Sequence, residues 1–143
     1  MIRKATIDDL DAIVDLGVEF GVKSKHIHTF SVDPEKIRAV AHDAILGTGA
    51  VMLVATINDK VTGVIFGLIQ PAYFSQDIVL QELALYSRTV LAIPHLIKAF
   101  EEEARVKGIC KVAVGLKPAF FNMREIYGHL GYQPMEEIFI KEI

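Results

Sequence analysis

The amino-acid sequence predicts one α/β domain, in which helices cover both faces of a central mixed sheet. Segments with helical and strand periodicity follow one another in the order β-α-α-β-β-β-α-β-α-β across residues 1–143, without a linker or an internal repeat. A hairpin of nearly continuously apolar strands precedes the β-α-β-α-β part, and such strands are typical of a sheet covered on both faces. A length of 143 residues suits one domain better than two.

The composition excludes several classes of protein. Hydrophobic residues make up 52% of the chain and charged residues 23%, which is typical of a folded globular domain and not of a disordered one. The 15 basic and 18 acidic residues give a net charge of −3, so no basic field favours nucleic acid as a partner. The single cysteine, Cys110, excludes an internal disulfide, and its place in a strand predicts a buried thiol.

The apolar stretches are too short to indicate a membrane protein. The longest are Ala50–Ile57 and Val61–Ile69, separated by the polar residues 58–60. A spanning helix needs a run of roughly 20 apolar residues. The N-terminus also lacks the apolar core of a signal peptide. We therefore expect a cytoplasmic protein that does not interact with membranes.

Capping residues predict where the first helices begin. Ile2–Ala5 forms a short strand, after which Thr6 and Asp9 have the spacing of a capping box at the start of helix one. Asp33 and Pro34 predict the start of helix two, because aspartate caps free N–H groups and proline needs none at the first helical position.

The remaining elements follow from apolar runs and the turn residues between them. Strands at Ala50–Ile57 and Val61–Ile69 form the hairpin, and a third follows at Ile78–Tyr86. The C-terminal elements are a helix at Pro94–Lys107, a short buried strand at Cys110–Gly115, a helix at Pro118–Leu130 and a final strand within Gln133–Ile143.

Three segments, together with this element order, carry a family resemblance. Ile2–Leu10 combines a short strand with a helix cap, Phe100–Ile109 is a helix that ends in a glycine before a strand, and Ile126–Tyr132 reads I-Y-G-H-L-G-Y. These segments resemble the GNAT superfamily of N-acetyltransferases, whose C-terminal signature is Y-x-x-L-G-F/Y. The stretches Leu83–Tyr86 and Leu96–Phe100 are similar to short phage-encoded members, which would place the protein in a host cytoplasm.

The resemblance implies acetyl transfer from acetyl-CoA to an amine. In such enzymes the thioester lies in a gap between two parallel strands, which here would end near Tyr86 and Leu116. Backbone amides of Leu83, Ala84 and Leu85 would hold the pantetheine arm. The pyrophosphate would bind at the start of the following helix, where free N–H groups and the helix dipole favour an anion.

The phosphate-binding loop departs from the family pattern Q/R-x-x-G-x-G/A. Arg88 stands at the first position and implies an electrostatic contact with the pyrophosphate, although an exposed loop arginine is the alternative. Leu91 and Ile93 replace small residues, and their side chains restrict the approach of the backbone to a phosphate. Amides of non-glycine residues can still donate hydrogen bonds. The loop residues expected to bind the pyrophosphate are Arg88, Thr89, Val90, Leu91, Ala92 and Ile93.

Two residues are candidates for proton transfer. Tyr127 matches the family's general acid, which returns a proton to the departing thiolate; the alternative is a core aromatic on its helix. Glu82 lies on the strand leading to the gap and could accept a proton from the substrate ammonium, directly or through water. The alternative for Glu82 is a solvated strand charge, or an ion pair with a neighbouring lysine.

Three further residues could contact the acceptor. Tyr73 and Phe74 would line an acceptor pocket from the loop before the Glu82 strand, or act as hydrophobic plugs or a dimer contact. His28, in the sequence His26-Ile27-His28, lies on a substrate-facing loop or on plain surface. Two histidines without a third ligand do not predict a metal site, so we expect no metal cofactor.

Two function classes remain open. The first is an N-acetyltransferase that uses acetyl-CoA as co-substrate and acts on a primary amine of a small molecule or a protein; a homodimer is a family-level expectation. The second is a binding or structural module that keeps the fold without using acetyl-CoA, because fold alone does not determine function.

Overall fold

The computed structural model describes residues 1–24, 30–116 and 122–143. It contains one five-stranded sheet in the order β1-β2-β3-β4-β5, in which only the β4–β5 pair is parallel. The strands are β1 (Ile2–Lys4), β2 (Ala50–Ile57), β3 (Lys60–Pro71), β4 (Ile78–Ser87) and β5 (Lys111–Ala113). The helices are α1 (Leu10–Lys23), α2 (Pro34–Leu46), α3 (Ala92–Val106) and α4 (Met123–His129).

The predicted mixed sheet with helices on both faces is confirmed. Side chains of β2 alternate between the two faces, so Val51 and Leu53 pack with α3 while Met52 and Val54 pack with α1 and α2. Both clusters are buried, and Val54 and Phe100 are completely inaccessible to solvent. The nearly continuous apolar sequence of β2 therefore reflects a strand that is covered on both sides.

Both predicted helix starts are also confirmed. The Asp9 carboxylate accepts a hydrogen bond from the Thr6 N–H at 2.8 Å, directly before α1. The Asp33 carboxylate accepts from the N–H groups of Glu35 and Lys36 at 3.0 and 3.3 Å, with Pro34 at the first helical position. These contacts satisfy N–H groups that have no partner inside the helix.

The structure corrects the predictions for the fifth strand and its cysteine. The strand comprises Lys111–Ala113 and not Cys110–Gly115, and its residues are exposed or half-buried. Cys110 precedes the strand and is exposed, so the expectation of a buried thiol is wrong. The reason is that β5 lies at the edge of the sheet, where the described residues provide a partner strand on one side only.

The C-terminal segment differs most from its prediction. Residues 133–143, all of which the structure describes, form no strand, and Ile138 and Phe139 are 86% and 87% exposed. A strand needs a hydrogen-bonded neighbour, and the three residues of β5 offer this segment only a short edge. Helix α4 begins at Met123; the earlier part of the predicted helix, residues 118–121, lies outside the described residues.

A β-bulge in β4 determines which way the neighbouring side chains point. Glu82 pairs with Gly67 of β3 and Ala84 pairs with Phe66, so Leu83 has no partner across the ladder. After this extra residue, Leu85 packs in the cluster with α3, whereas Ala84 packs in the cluster with α1 and α2. The bulge thus separates Glu82 and Ala84 onto different faces of the sheet.

Gly67 is the residue that permits this close packing opposite the bulge. A Cβ at position 67 would lie 2.4 Å from Phe100 Cζ and 2.5 Å from the Gln81 carbonyl oxygen. We expect Gly67→Ala to lower the free energy of unfolding by about 1–3 kcal/mol, as overpacking does elsewhere. Urea unfolding measures this change. The control is Gly49→Ala, whose Cβ would meet nothing within 4 Å; equal stability of the two variants would contradict the packing argument.

Candidate active site

The parallel pairing of β4 with β5 is short and ends abruptly. Only Val79–Gln81 and Lys111–Ala113 are in register. Beyond Gln81, β4 continues to Ser87, whereas β5 has already ended. In the described part of the chain no strand pairs with this edge of β4, and the bulged Leu83 on it is 46% exposed. The edge offers main-chain donors and acceptors to an extended ligand, as strand addition requires.

Glu82 and Tyr127 meet at a single residue next to this edge. Glu82 Oε2 accepts a hydrogen bond from the Gly115 N–H at 2.7 Å. The Tyr127 hydroxyl donates to the Gly115 carbonyl oxygen, also at 2.7 Å. Glu82 is only 2% exposed, so it is not a solvated strand charge. The structure therefore brings together the two residues that the sequence analysis selected for proton transfer.

The surroundings of Tyr127 keep its phenol protonated. Burial raises the pKa of Tyr127 well above its usual value, and the charge of Glu82 raises it further. The neighbouring Tyr132 lies with its ring centroid 5.7 Å away and donates its hydroxyl to Glu101 Oε1 at 2.8 Å. Tyr127 is thus a hydrogen-bond donor at neutral pH, in a partly apolar setting.

Helix α4 holds Tyr127 in position. The Asn122 side chain caps the helix by accepting from the Glu125 N–H at 3.4 Å. At the other end the chain turns at Gly131, whose φ of +89° favours glycine, and the Tyr132 N–H donates to the Tyr127 carbonyl at 2.9 Å. The L-G-Y part of the signature is therefore the helix stop that follows the catalytic candidate.

The two bulky side chains of the predicted phosphate loop lie in different environments, one in solvent and one in the core. Leu91 is 77% exposed to solvent, whereas Ile93 is 2% exposed and belongs to the core. Three amides of the loop already donate hydrogen bonds within it. The Leu91 N–H donates to the Thr89 hydroxyl at 3.4 Å. The N–H groups of Ala92 and Ile93 donate to the carbonyls of Thr89 and Val90 at 3.3 and 3.1 Å. These bonds are longer than a typical N–H···O bond of about 2.9–3.0 Å. An anion at this helix start would have to replace them.

Arg88 forms an ion pair across the fold. Its Nε donates to both carboxylate oxygens of Glu19 at 3.1 and 3.2 Å, and its Nη2 also contacts this carboxylate. Glu19 accepts a further hydrogen bond from the Tyr86 hydroxyl at 3.2 Å, and Lys23 Nζ donates to the same hydroxyl at 2.7 Å. This network fastens α1 to the C-terminal end of β4.

The sequence analysis missed Glu19, Lys23 and Tyr86 as members of this network. The only sequence signal was the i, i+4 spacing of Glu19 and Lys23, which places them on one helix face. Nothing in the sequence connects that helix face with Arg88, which lies 69 positions after Glu19.

The proposed acceptor-binding aromatics lie apart from Glu82. Tyr73 and Phe74 are in the turn between β3 and β4, where they are 96% and 79% exposed and contact each other edge to face at 5.0 Å. Ile78, the first residue of β4 after this turn, is separated from Glu82 by about 13 Å of strand. His28 lies outside the described residues.

Two features are absent from the described residues. No helix in the ranges 1–24, 30–116 and 122–143 is long and apolar enough to cross a bilayer. Over the same ranges, no three or more side chains of histidine, cysteine, aspartate or glutamate are grouped so that they could hold a metal ion.

Comparison with known proteins gives a consistent fold. No family model and no curated protein matches the sequence. The structure is similar to a transcriptional regulator from Bacillus halodurans C-125 (TM-score 0.80, 16% identity, 100% of this chain and 99% of that one). It is also similar to a predicted acetyltransferase from Clostridium acetobutylicum with acetyl-CoA (TM-score 0.78, 14% identity, 99% of this chain and 95% of that one).

A third similar structure is an aminoglycoside acetyltransferase from an uncultured soil metagenomic sample, in complex with sisomicin (TM-score 0.72, 18% identity, 100% of this chain and 94% of that one). The chain has the GNAT acetyltransferase fold. The fold expected from the sequence is thereby confirmed, over nearly the full length of each chain compared.

The ion pair between Glu19 and Arg88 generates a prediction on pH dependence. Hydrogen bonding to Arg88 holds the pKa of Glu19 below its usual value, despite partial burial. The carboxylate therefore stabilises the folded state above its unfolded pKa of about 4.3, and this contribution is lost as the pH falls through the lower folded pKa. We expect Glu19→Gln to destabilise the protein at pH 7 and to make no difference in strong acid.

Urea unfolding of both proteins over a pH series measures this difference. The control is Glu102→Gln, because the ion pair of Glu102 with Arg105 is exposed and such pairs contribute little. A stability difference between wild type and Glu19→Gln that stays constant with pH would contradict the assignment.

Proposed function

We propose that this protein, as one domain, is an N-acetyltransferase that transfers an acetyl group from acetyl-CoA to a primary amine. The observation that carries the proposal is the meeting of Glu82 and Tyr127 at Gly115, beside the edge where β4 leaves β5. A proton acceptor and a proton donor are thus held on either side of one residue. The acetyltransferase with acetyl-CoA among the similar structures supports the same reading.

The unpaired edge of β4 fits the extended arm of acetyl-CoA. Leu83, Ala84 and Leu85 lie beyond the last β4–β5 pair, and those of their main-chain groups that point away from β3 could pair in a strand-like manner with the amides of pantetheine. Arg88 directly follows the end of β4. Its guanidinium would attract the pyrophosphate, either while it keeps its ion pair with Glu19 or after that ion pair breaks. Acetyl-CoA supplies the activated thioester.

The reaction needs proton transfer at both ends. The amine must be neutral to attack, so Glu82 would accept its proton, directly or through water. As the C–N bond forms, the carbonyl oxygen becomes an oxyanion, which the main-chain N–H of the bulged Leu83 would stabilise. The C–S bond then breaks, Tyr127 would protonate the departing sulfur, and the second proton of the nitrogen would pass, directly or through water, to the phenolate that remains.

A second candidate function is a binding or structural module that does not use acetyl-CoA. The specific observations in its favour are the internal hydrogen bonds of the Leu91, Ala92 and Ile93 amides and the ion pair of Arg88 with Glu19. One of the similar structures is named a transcriptional regulator, so this fold is not restricted to proteins named as transferases.

Calorimetric titration of acetyl-CoA into the protein separates the two functions. The transferase predicts binding with a dissociation constant in the micromolar range, typical of enzyme substrates. The control ligand is adenosine 3′,5′-bisphosphate, which lacks the pantetheine arm and should bind more weakly because it cannot pair with β4. Absence of heat with acetyl-CoA at millimolar concentration would contradict the transferase and favour the module.

Tyr127→Phe tests the role of the phenol. We expect turnover to fall about a hundredfold, in the range that general acids contribute, while the affinity for acetyl-CoA stays nearly unchanged. Thiol release from acetyl-CoA measures turnover, with the amine that gives the highest wild-type rate. Tyr132→Phe is the matched control, because it removes a neighbouring hydroxyl bonded to Glu101 and should keep its rate. Equal turnover of Tyr127→Phe and wild type would remove Tyr127 from the mechanism.

A further inference from the structure

A cavity of about 220 Å³ lies on the face of the sheet opposite Gly115, beneath α1 and α2. An apolar cavity of about 150 Å³ is large enough to bind benzene, so this one has room for a ring or a branched alkyl group. The described residues that line it are Ile13, Gly17, Phe20, Lys36, Ile37, Val40, Ala41, Met52, Val64, Phe66 and Ala84.

The lining has a clear chemical character. Every described side chain that lines the cavity is apolar except Lys36, which is exposed and therefore lies at the opening. The described lining contains no carboxylate. A polycationic ligand would find no partner for its charges here, and its ammonium groups would be repelled by Lys36.

Ala84 connects the cavity with the candidate active site. It lines the cavity on one face of β4 and follows the bulged Leu83, whose other neighbour is Glu82. No described strand pairs with β4 beyond Gln81, so a thioester lying along this edge would be open to an amine that reaches out of the cavity. Ala84 lies two positions after Glu82, which corresponds to about 7 Å of strand.

We propose that this cavity binds a compact apolar substituent of the amine acceptor, so that the enzyme acts on amines carrying an aromatic or branched alkyl group and not on polycationic amines. The inference rests on the proposed function, because it names the acceptor class of that reaction. Lys36 at the opening favours an acceptor whose remaining groups are neutral or anionic.

Binding to the free protein tests the subsite without relying on catalysis. Benzylamine is titrated in the absence of acetyl-CoA, and the methyl NMR signals of Met52 and Ala41 report on the cavity. We expect both signals to shift until the cavity is saturated with benzylamine. Spermidine at the same concentration should cause shifts at least tenfold smaller. Absence of shifts with benzylamine at tens of millimolar, or equal binding of spermidine, would overturn the proposal.

A cavity-filling variant gives a second measurement. Val40→Phe places a ring in the half-buried lining and should weaken benzylamine binding at least tenfold, whereas Val106→Phe on the exposed side of α3 should leave it unchanged. Equal affinity of both variants would overturn the proposal, and if Val40→Phe does not fold, the wild-type titration decides. Benzylamine binding without acetyl transfer to it, while another amine is acetylated, would overturn the proposal and leave the proposed function standing; absence of acetyl transfer to any amine would refute the proposed function.

Discussion

β4 and β5 are hydrogen-bonded over only three residues each, and the candidate site depends on where that pairing stops. Because β5 ends at Ala113, the chain is free to bring Gly115 against Glu82, and the β4 edge beyond Gln81 has no described strand beside it. A longer parallel ladder would use these main-chain groups itself. The bulge at Leu83 also reduces strand pairing near the site, since Leu83 has no partner residue in β3.

Gly115 contacts both side chains that are proposed to transfer protons next to the unpaired edge of β4. Its N–H donates to Glu82 and its carbonyl accepts from Tyr127, so one peptide segment orients both side chains. A buried carboxylate is unfavourable unless it is hydrogen-bonded, and the charge of Glu82 in turn helps to keep Tyr127 protonated. The proposed acid and base roles therefore rest on the environment of the two residues together.

The sequence predicted the parts of the fold that depend on local patterns. Capping at Asp9 and Asp33 and the two-sided burial of β2 were readable from neighbouring residues, and a family signature selected Tyr127. The Glu19–Arg88 pair was not readable, because its partners are 69 positions apart and no motif connects them. The final strand was not predictable for a related reason: the mixture of charged and apolar residues at 133–143 says nothing about whether a neighbouring strand is available.

The most direct measurement is the mapping of backbone amide NMR shifts while acetyl-CoA is titrated into the protein. The account predicts that the amide signals of Leu83, Ala84, Leu85 and Gly115 shift together and that the Leu83 amide on the open edge gains protection from hydrogen exchange, while the amide signals of β1 and β2 do not shift. Saturating binding that leaves these four amides unchanged would contradict the claim that the open edge of β4 holds the acetyl donor.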